Sequence, residues 1–210
     1  MYYLVKTPSL LKFFYPDCIW DIKTEGKVLY LTFDDGPDPV ATSFVLEELK
    51  KYNAKATFFC VGENVEEHFN IYKNIIDQGH IVGNHTYNHL NGWRTKDKEY
   101  LDNIFKAKKI IDSNLFRPPY GKISKFQLEQ LKAEKYNLKP IMWSVISGDF
   151  DEKVSGEACY LNVVKNAKEG SIVVFHDSQK AVDKVRYALP LVLKYFKEKG
   201  FEFRSISFKS

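Results

Sequence analysis

The chain has 210 residues and a formal net charge of +4, with 44% hydrophobic and 15% aromatic residues. That apolar content excludes a disordered chain, and no run approaches the ~20 apolar residues of a membrane span. With no Pro/Gly/Ser-rich linker, low-complexity tract or internal repeat, the length reads as a single domain. The lysines are scattered along helical stretches such as Lys50-Lys51 and Lys106 to Lys109. The positive charge is therefore read as solvated helix faces, with no nucleic-acid partner expected.

Residues 1–26 are aromatic-rich and irregular, with Pro8, Pro16 and Trp20, and read as a lead-in packed on the outside of a domain spanning 27–210. They lack a basic region followed by an apolar segment and a small-residue cleavage site. The chain as it stands reads as unsecreted and cytoplasmic; one already stripped of an export signal would look the same and would belong to the cell envelope. Cys18, Cys60 and Cys159 are isolated, so neither a thiolate zinc site nor a disulfide framework is expected. Cys60 falls in the apolar run Ala56 to Val61 and reads as a core thiol.

Val28 to Phe33 is an apolar, β-branched and aromatic run that predicts a buried strand. It stops on Asp34-Asp35-Gly36-Pro37, which puts two carboxylates at the rim of a sheet. Side-chain alternation sends Asp34 and Asp35 in different directions, so one can hold a cation while the other faces a substrate. An ordinary Asx-rich turn is the other reading of this stretch. Next come a helix over Ala41 to Tyr52, a strand over Ala56 to Val61, and a helix over Val65 to Gln78 ended by Gly79. His80 to Gly83 predicts a third strand, and Asn84 to His89 a loop or helical turn. Thr95 to Asp112 is a charged amphipathic helix, and Leu115 to Arg117 a short fourth strand broken by Pro118-Pro119. A helix capped by Ser124 runs to Tyr136. Lys139 to Val145 is the fifth strand, Ser155 to Glu169 a helix, Ser171 to Phe175 the sixth strand, Val182 to Lys199 a long helix, and Phe201 to Ser207 the seventh strand.

Strands alternating with helices predict βαβ units and a mainly parallel sheet, best arranged as a deformed (β/α)7 barrel of the TIM type. The polar residues then obey one rule. Asp34, Asp35, His85, His89, Arg117, Asp149 and His176 all lie at or just beyond the C-terminal ends of strands, where barrel enzymes keep their active sites. His85 and His89 stand at i and i+4, a common metal-ligand spacing that two surface histidines could also show. With one aspartate alongside they would form a two-His, one-carboxylate set with an open position, which suits catalytic zinc and equally non-haem Fe(II).

Thr32-Phe33-Asp34-Asp35-Gly36, His85-Thr-Tyr-Asn-His89, Arg117-Pro-Pro-Tyr120, Asp149 and Val173-Val-Phe-His176 resemble, in order, the five motifs of the polysaccharide deacetylases, the NodB-homology domain of carbohydrate esterase family 4. The match runs from about Lys27 to the C-terminus. The resemblance implies a deformed barrel and metal-dependent removal of N- or O-acetyl groups from a carbohydrate; the chain is expected to be a monomer. It implies that Asp35, His85 and His89 hold one divalent ion, zinc first, with cobalt, nickel or manganese as alternatives. By the same resemblance Asp34 is the base, Arg117 orients it, Tyr120 offers a backbone N–H to the oxyanion, His176 is the general acid and Asp149 raises its pKa. Phe150, where the family often has Trp, is expected with Trp143, Pro118 and Pro119 around the substrate pocket; Trp143 could equally be core. Val173 replaces the leucine of the last motif. His80 is expected to be structural and His68 solvated, and Asp177 either a cap or a support for the site. The expected substrate is an N-acetylglucosamine-containing glycan such as peptidoglycan or chitin. An O-acetyl esterase on acetylated xylan or a similar glycan, an Fe(II) oxygenase and a catalytically silent sugar-binding module are the competing readings.

Overall fold

The structure, a computed structural model, describes residues 3–208. Strand β1, Val28–Asp34, is buried at every position, as its unbroken apolar run requires of a strand covered on both faces. It pairs in parallel with β2 (Thr57–Cys60) on one side and with β7 (Ile172–His176) on the other. From β2 the sheet continues through β3 (Ile81–Asn84) and β4 (Leu115–Phe116) to β5 (Lys139–Pro140), and beyond β7 it ends on β6 (Val145–Ile146). Its two edges are thus the two halves of one interrupted segment, so the sheet curls round on itself. The short β8, Glu202–Phe203, joins β1 at Val28 and Leu29. With the interrupted fifth strand counted once, this is the expected curled parallel barrel of seven strands in a single domain.

Helix α1, Ser9–Phe14, lies in the lead-in. The barrel carries α2 (Ala41–Lys51), α3 (Gly62–Glu67), α4 (Phe69–Asp77), α5 (Asp97–Lys108), α6 (Lys125–Gln130), α7 (Gly156–Asn166) and α8 (Val182–Glu198). Asp38 accepts from the Val40 and Ala41 amides at the start of α2, and Ser124 and Gln127 form a capping box at the start of α6. The main core packs Leu29, Leu31, Phe33 and Phe58 from the strands against Val45, Leu49, Leu189 and Val192 from α2 and α8. Cys18, Cys60 and Cys159 are buried and unpaired. The His80 side chain accepts from the Ala56 amide; burial, and secondarily Lys55, push its pKa down to about 4, so it is a neutral structural histidine.

Four details depart from expectation. The helix predicted over 65–78 is two helices that meet at His68, whose φ of −122° and ψ of 44° are not helical, and His68 is half-buried. The helices predicted over 95–112 and 124–136 are trimmed to α5 and α6. The strand predicted over 139–145 is broken across residues 141–144. The lead-in is more than packing on the outside, because it repairs that break. Ile19 donates to the Pro140 carbonyl (2.9 Å) and accepts from Met142 (2.7 Å), Val5 accepts from Ile146 (2.9 Å), and Thr7 donates to Ser144 (2.9 Å). The carbonyls of Pro140 and Ser144 and the amides of Met142 and Ile146 are thus satisfied by residues 5–19.

Candidate active site

Asp34 is the last residue of β1 and Asp35 the first beyond it, and the chain turns sharply between them: Asp35 has φ of 82°, in the left-handed region. The turn is braced from behind. The Asn64 side-chain amide donates to the Asp35 carbonyl (2.7 Å), and the Asp177 carboxylate accepts from the Gly36 amide (3.1 Å) and the Thr42 hydroxyl (2.5 Å). A Cβ on Gly36 would come within 2.1 Å of Asp177, so only glycine fits. Burial pushes the Asp177 carboxyl well above its usual range against these donors. Asp177 is therefore a brace for the loop that carries both aspartates.

The two aspartates do face different partners. Asp34 turns to Arg117, which is wholly buried just beyond β4. One Arg117 nitrogen donates to Asp34 Oδ1 (2.6 Å) and to the Thr32 hydroxyl (2.7 Å). The other two donate to the carbonyls of Ile141 and Met142 (3.0 Å each). Those carbonyls are turned inward because the fifth strand is broken there; a regular strand would have spent them on its neighbours. Burial lowers the Arg117 pKa while Asp34 raises it, and a guanidinium stays charged under such opposition.

Asp35 turns to the histidines. His85 and His89 are not on a helical turn: Thr86 (φ 65°) and His89 (φ 55°) are left-handed, and the loop 85–90 is held by Asn84 and Asn103, whose side-chain oxygens accept from the Thr86, Tyr87 and Asn88 amides. Asp35 Oδ1 lies 3.1 Å from His89 Nε2 and 3.6 Å from His85 Nε2, is buried and lacks a hydrogen-bond partner. His85 Nδ1 lies 2.7 Å from the Arg117 carbonyl, which can only accept, so Nδ1 carries the hydrogen and Nε2 of the neutral ring presents a lone pair. A carboxylate oxygen facing the lone pair of an imidazole calls for a cation between them, and the three candidate ligand atoms lie within 4.8 Å of one another. The orphaned oxygen and the pinned His85 tautomer fit a divalent metal.

Across the rim, His176 ends β7. Its Nδ1 is 2.7 Å from Asp149 Oδ1, and Asp149 Oδ2 accepts the His176 backbone N–H (2.7 Å). Burial alone would lower the His176 pKa; Asp149, then the more distant Asp35 and Asp34, overcome it and raise it to about 10. Asp149 is itself fixed, because the Lys184 ammonium reaches from α8 to the carbonyls of Asp149 (3.0 Å) and Asp151 (2.8 Å). The Phe150 ring stands edge-on to His176 and also packs at a tilt against Tyr3.

These groups open into a cavity of about 530 Å³ lined by Asp34, Asp35, His85, His89 and His176 and walled by Phe150, Trp143, Pro118 and Tyr120. Pro119 is buried under the turn and does not line it. Tyr120 has φ of 60°, its side chain is half exposed, and its hydroxyl lies 3.2 Å from His89 Nδ1. The sequence reading missed the wall contributed by the lead-in, which includes Tyr3, Leu4, Thr7, Leu11, Tyr15 and Trp20. The aromatic richness of residues 1–26 was the one available signal. Asn64, Asn84, Asn103 and Lys184 were missed as well, and nothing local to those residues marks them.

A parallel α/β barrel with paired carboxylates and imidazoles gathered at the C-terminal rim defines a barrel hydrolase. The comparisons give the particular family. The polysaccharide deacetylase family model matches residues 21–138. A peptidoglycan-N-acetylglucosamine deacetylase of Bacillus cereus is 35% identical over 194 residues, covering 90% of each chain. A second B. cereus protein of the same description is 39% identical over 184 residues, 82% of this chain and 64% of that one. Among solved structures, that of the Bc1960 peptidoglycan N-acetylglucosamine deacetylase in complex with 4-naphthalen-1-yl-N-oxidanyl-benzamide superposes with a TM-score of 0.82 at 34% identity, over 93% of this chain and 94% of that one. The chain belongs to the polysaccharide deacetylase family, and is a carbohydrate deacetylase of the NodB-homology, family 4 esterase class.

Proposed function

We propose that the protein hydrolyses the N-acetyl group of N-acetylglucosamine units in a peptidoglycan-type glycan, with Asp34 as base and His176 as acid. Asp35, His85 and His89 would hold one divalent ion, zinc by its donor set, which would supply Lewis-acid polarisation of the acetyl carbonyl and a lowered pKa for water. Asp34, held by the four-acceptor clamp of Arg117, accepts the proton of the attacking water. The Tyr120 backbone N–H is the donor offered to the developing oxyanion. His176 donates from Nε2, because Asp149 occupies Nδ1. Phe150 and Trp143 shape the space for the acetyl methyl.

The observation that carries this reading is the His176–Asp149 pair facing the same cavity as the Asp34–Arg117 pair. An amine cannot leave as an anion, so amide hydrolysis requires a protonated group at the leaving nitrogen; an ester needs it far less. A silent binding module would have no use for a carboxylate locked by a buried arginine opposite an imidazole kept charged. The B. cereus relatives support glucosamine as the deacetylated sugar. Acetate release from a panel of N-acetylated and O-acetylated glycans, with and without chelator and added divalent metals, tests the reading. Release from O-acetylated xylan alone would replace it with the esterase.

A further inference from the structure

Trp93 lines the cavity while 58% exposed, so it stands at the mouth, on the loop that continues from His89. Such a ring would ordinarily be free to turn, yet this one is pinned. Its indole N–H donates to the Ile123 carbonyl (2.9 Å), and its backbone amide donates to the Asn91 side chain (3.0 Å). The preceding Gly92 is clamped between the Lys122 carbonyl (3.1 Å) and the Gln127 amide (2.8 Å); a Cβ there would meet that carbonyl at 2.4 Å. The Lys122 ammonium sits 4.1 Å from the ring centroid. Among the described residues, Lys122 is the one lysine or arginine that lines the cavity, and it takes part in no ion pair. A fixed aromatic face has already lost its rotamer freedom, which makes it a low-cost platform for the C–H face of a pyranose. An ammonium without a carboxylate, lying over one face of that ring, is matched to an anionic substituent on a sugar held against the indole.

We propose that Trp93 and Lys122 form a second sugar subsite, which takes the neighbour of the deacetylated unit and selects a neighbour bearing a carboxylate, as N-acetylmuramoyl residues do through their lactyl group. The proposal rests on the N-deacetylase reading and narrows it: neutral chitin-type chains would use the indole face alone, whereas alternating muramoyl chains would use both groups.

The test uses metal-loaded enzyme and two tetrasaccharides of equal length, one all N-acetylglucosamine, the other alternating with lactyl-bearing units. Trp93→Ala should raise KM for both by about tenfold with kcat little changed, and Trp93→Phe should recover most of that loss. Lys122→Met should raise KM by about tenfold for the carboxylate-bearing tetramer only, and salt should erase the difference. Turnover of a small aryl acetate should be unaltered in all three variants. Equal KM changes for both tetramers in Lys122→Met would overturn the anionic subsite, and an unchanged KM in Trp93→Ala would overturn the platform. Calorimetric binding to Asp34→Asn protein keeps the two readings separate. Binding sensitive to both variants, with no acetate released from any glycan by the parent enzyme, would reject the deacetylase reading and keep the subsite. Acetate release with binding indifferent to both would do the reverse.

Discussion

Replacing Arg117 by Met is expected to damage stability and catalysis together. The guanidinium is fully buried and serves Asp34 Oδ1, Thr32 Oγ1 and the carbonyls of Ile141 and Met142. Met fills most of the volume but leaves a buried carboxylate without its cation and two inward carbonyls without donors. Breaking a buried pair in this way costs roughly 3–5 kcal/mol. For a domain of this size each kcal/mol moves Tm by about 2–4 °C, so the melting temperature should fall by roughly 6–20 °C. Turnover should fall by about 10²-fold or more, because the base is no longer held in position. Arg117→Lys should lie between, since an ammonium restores the charge but cannot reproduce the planar fork that reaches Asp34 and both carbonyls at once. Differential scanning calorimetry and initial rates of acetate release measure both effects. An Arg117→Met protein that melts within about 2 °C of the parent would refute the energetic reasoning. One that melts low but keeps full kcat would refute the positioning role.

Elemental analysis of protein purified without chelator should find one divalent ion per chain, lost in a His85→Ala, His89→Ala double variant; full occupancy there would remove these residues from the ligand set. Asp34→Asn should abolish turnover and keep the ion, whereas Asp35→Asn should lose the ion, so equal metal loss in both would mean that the two carboxylates share it. The profile of kcat/KM against pH should be bell-shaped, with activity lost on the basic side as His176 gives up its proton. Its pKa is raised from 6.5 to about 10 against the lowering effect of burial, so the charged form survives well above neutrality, and a dication at the Asp35 cluster would draw that value back down. Asp149→Asn removes the main raising charge and should move the basic limb to lower pH; an unmoved limb would assign it to another group. The raised pKa also makes His176 a source of stability that is complete below about 6.5 and disappears as pH climbs toward 10, which melting temperatures across that range would register.

Much of the site was legible along the chain because chemistry and punctuation coincide there. The longest core strand, β1, stops on Asp34, and β7 stops on His176. Parallel strands joined by helices bring all such endings to one rim. Side-chain alternation, together with the left-handed turn at Asp35, is enough to part the two aspartates. The histidine spacing suggested one shared face of a helical turn, and the structure brings the two rings together by a different geometry. Asp35, His85 and His89 converge because left-handed backbone at Thr86 and His89 bends the loop, and no helical turn is involved.

What the sequence by itself determined is therefore the barrel, its order of elements and the identity of the rim residues, because hydrophobic periodicity and strand-ending residues are local properties that report which face is buried. Tertiary structure alone decided the partners. Arg117 owes its grip to carbonyls freed by the interruption at 141–144, His85 owes its tautomer to the Arg117 carbonyl, and the cavity owes a wall to residues of the lead-in. Each of these contacts joins segments far apart in the chain, which the curled sheet brings together at one rim.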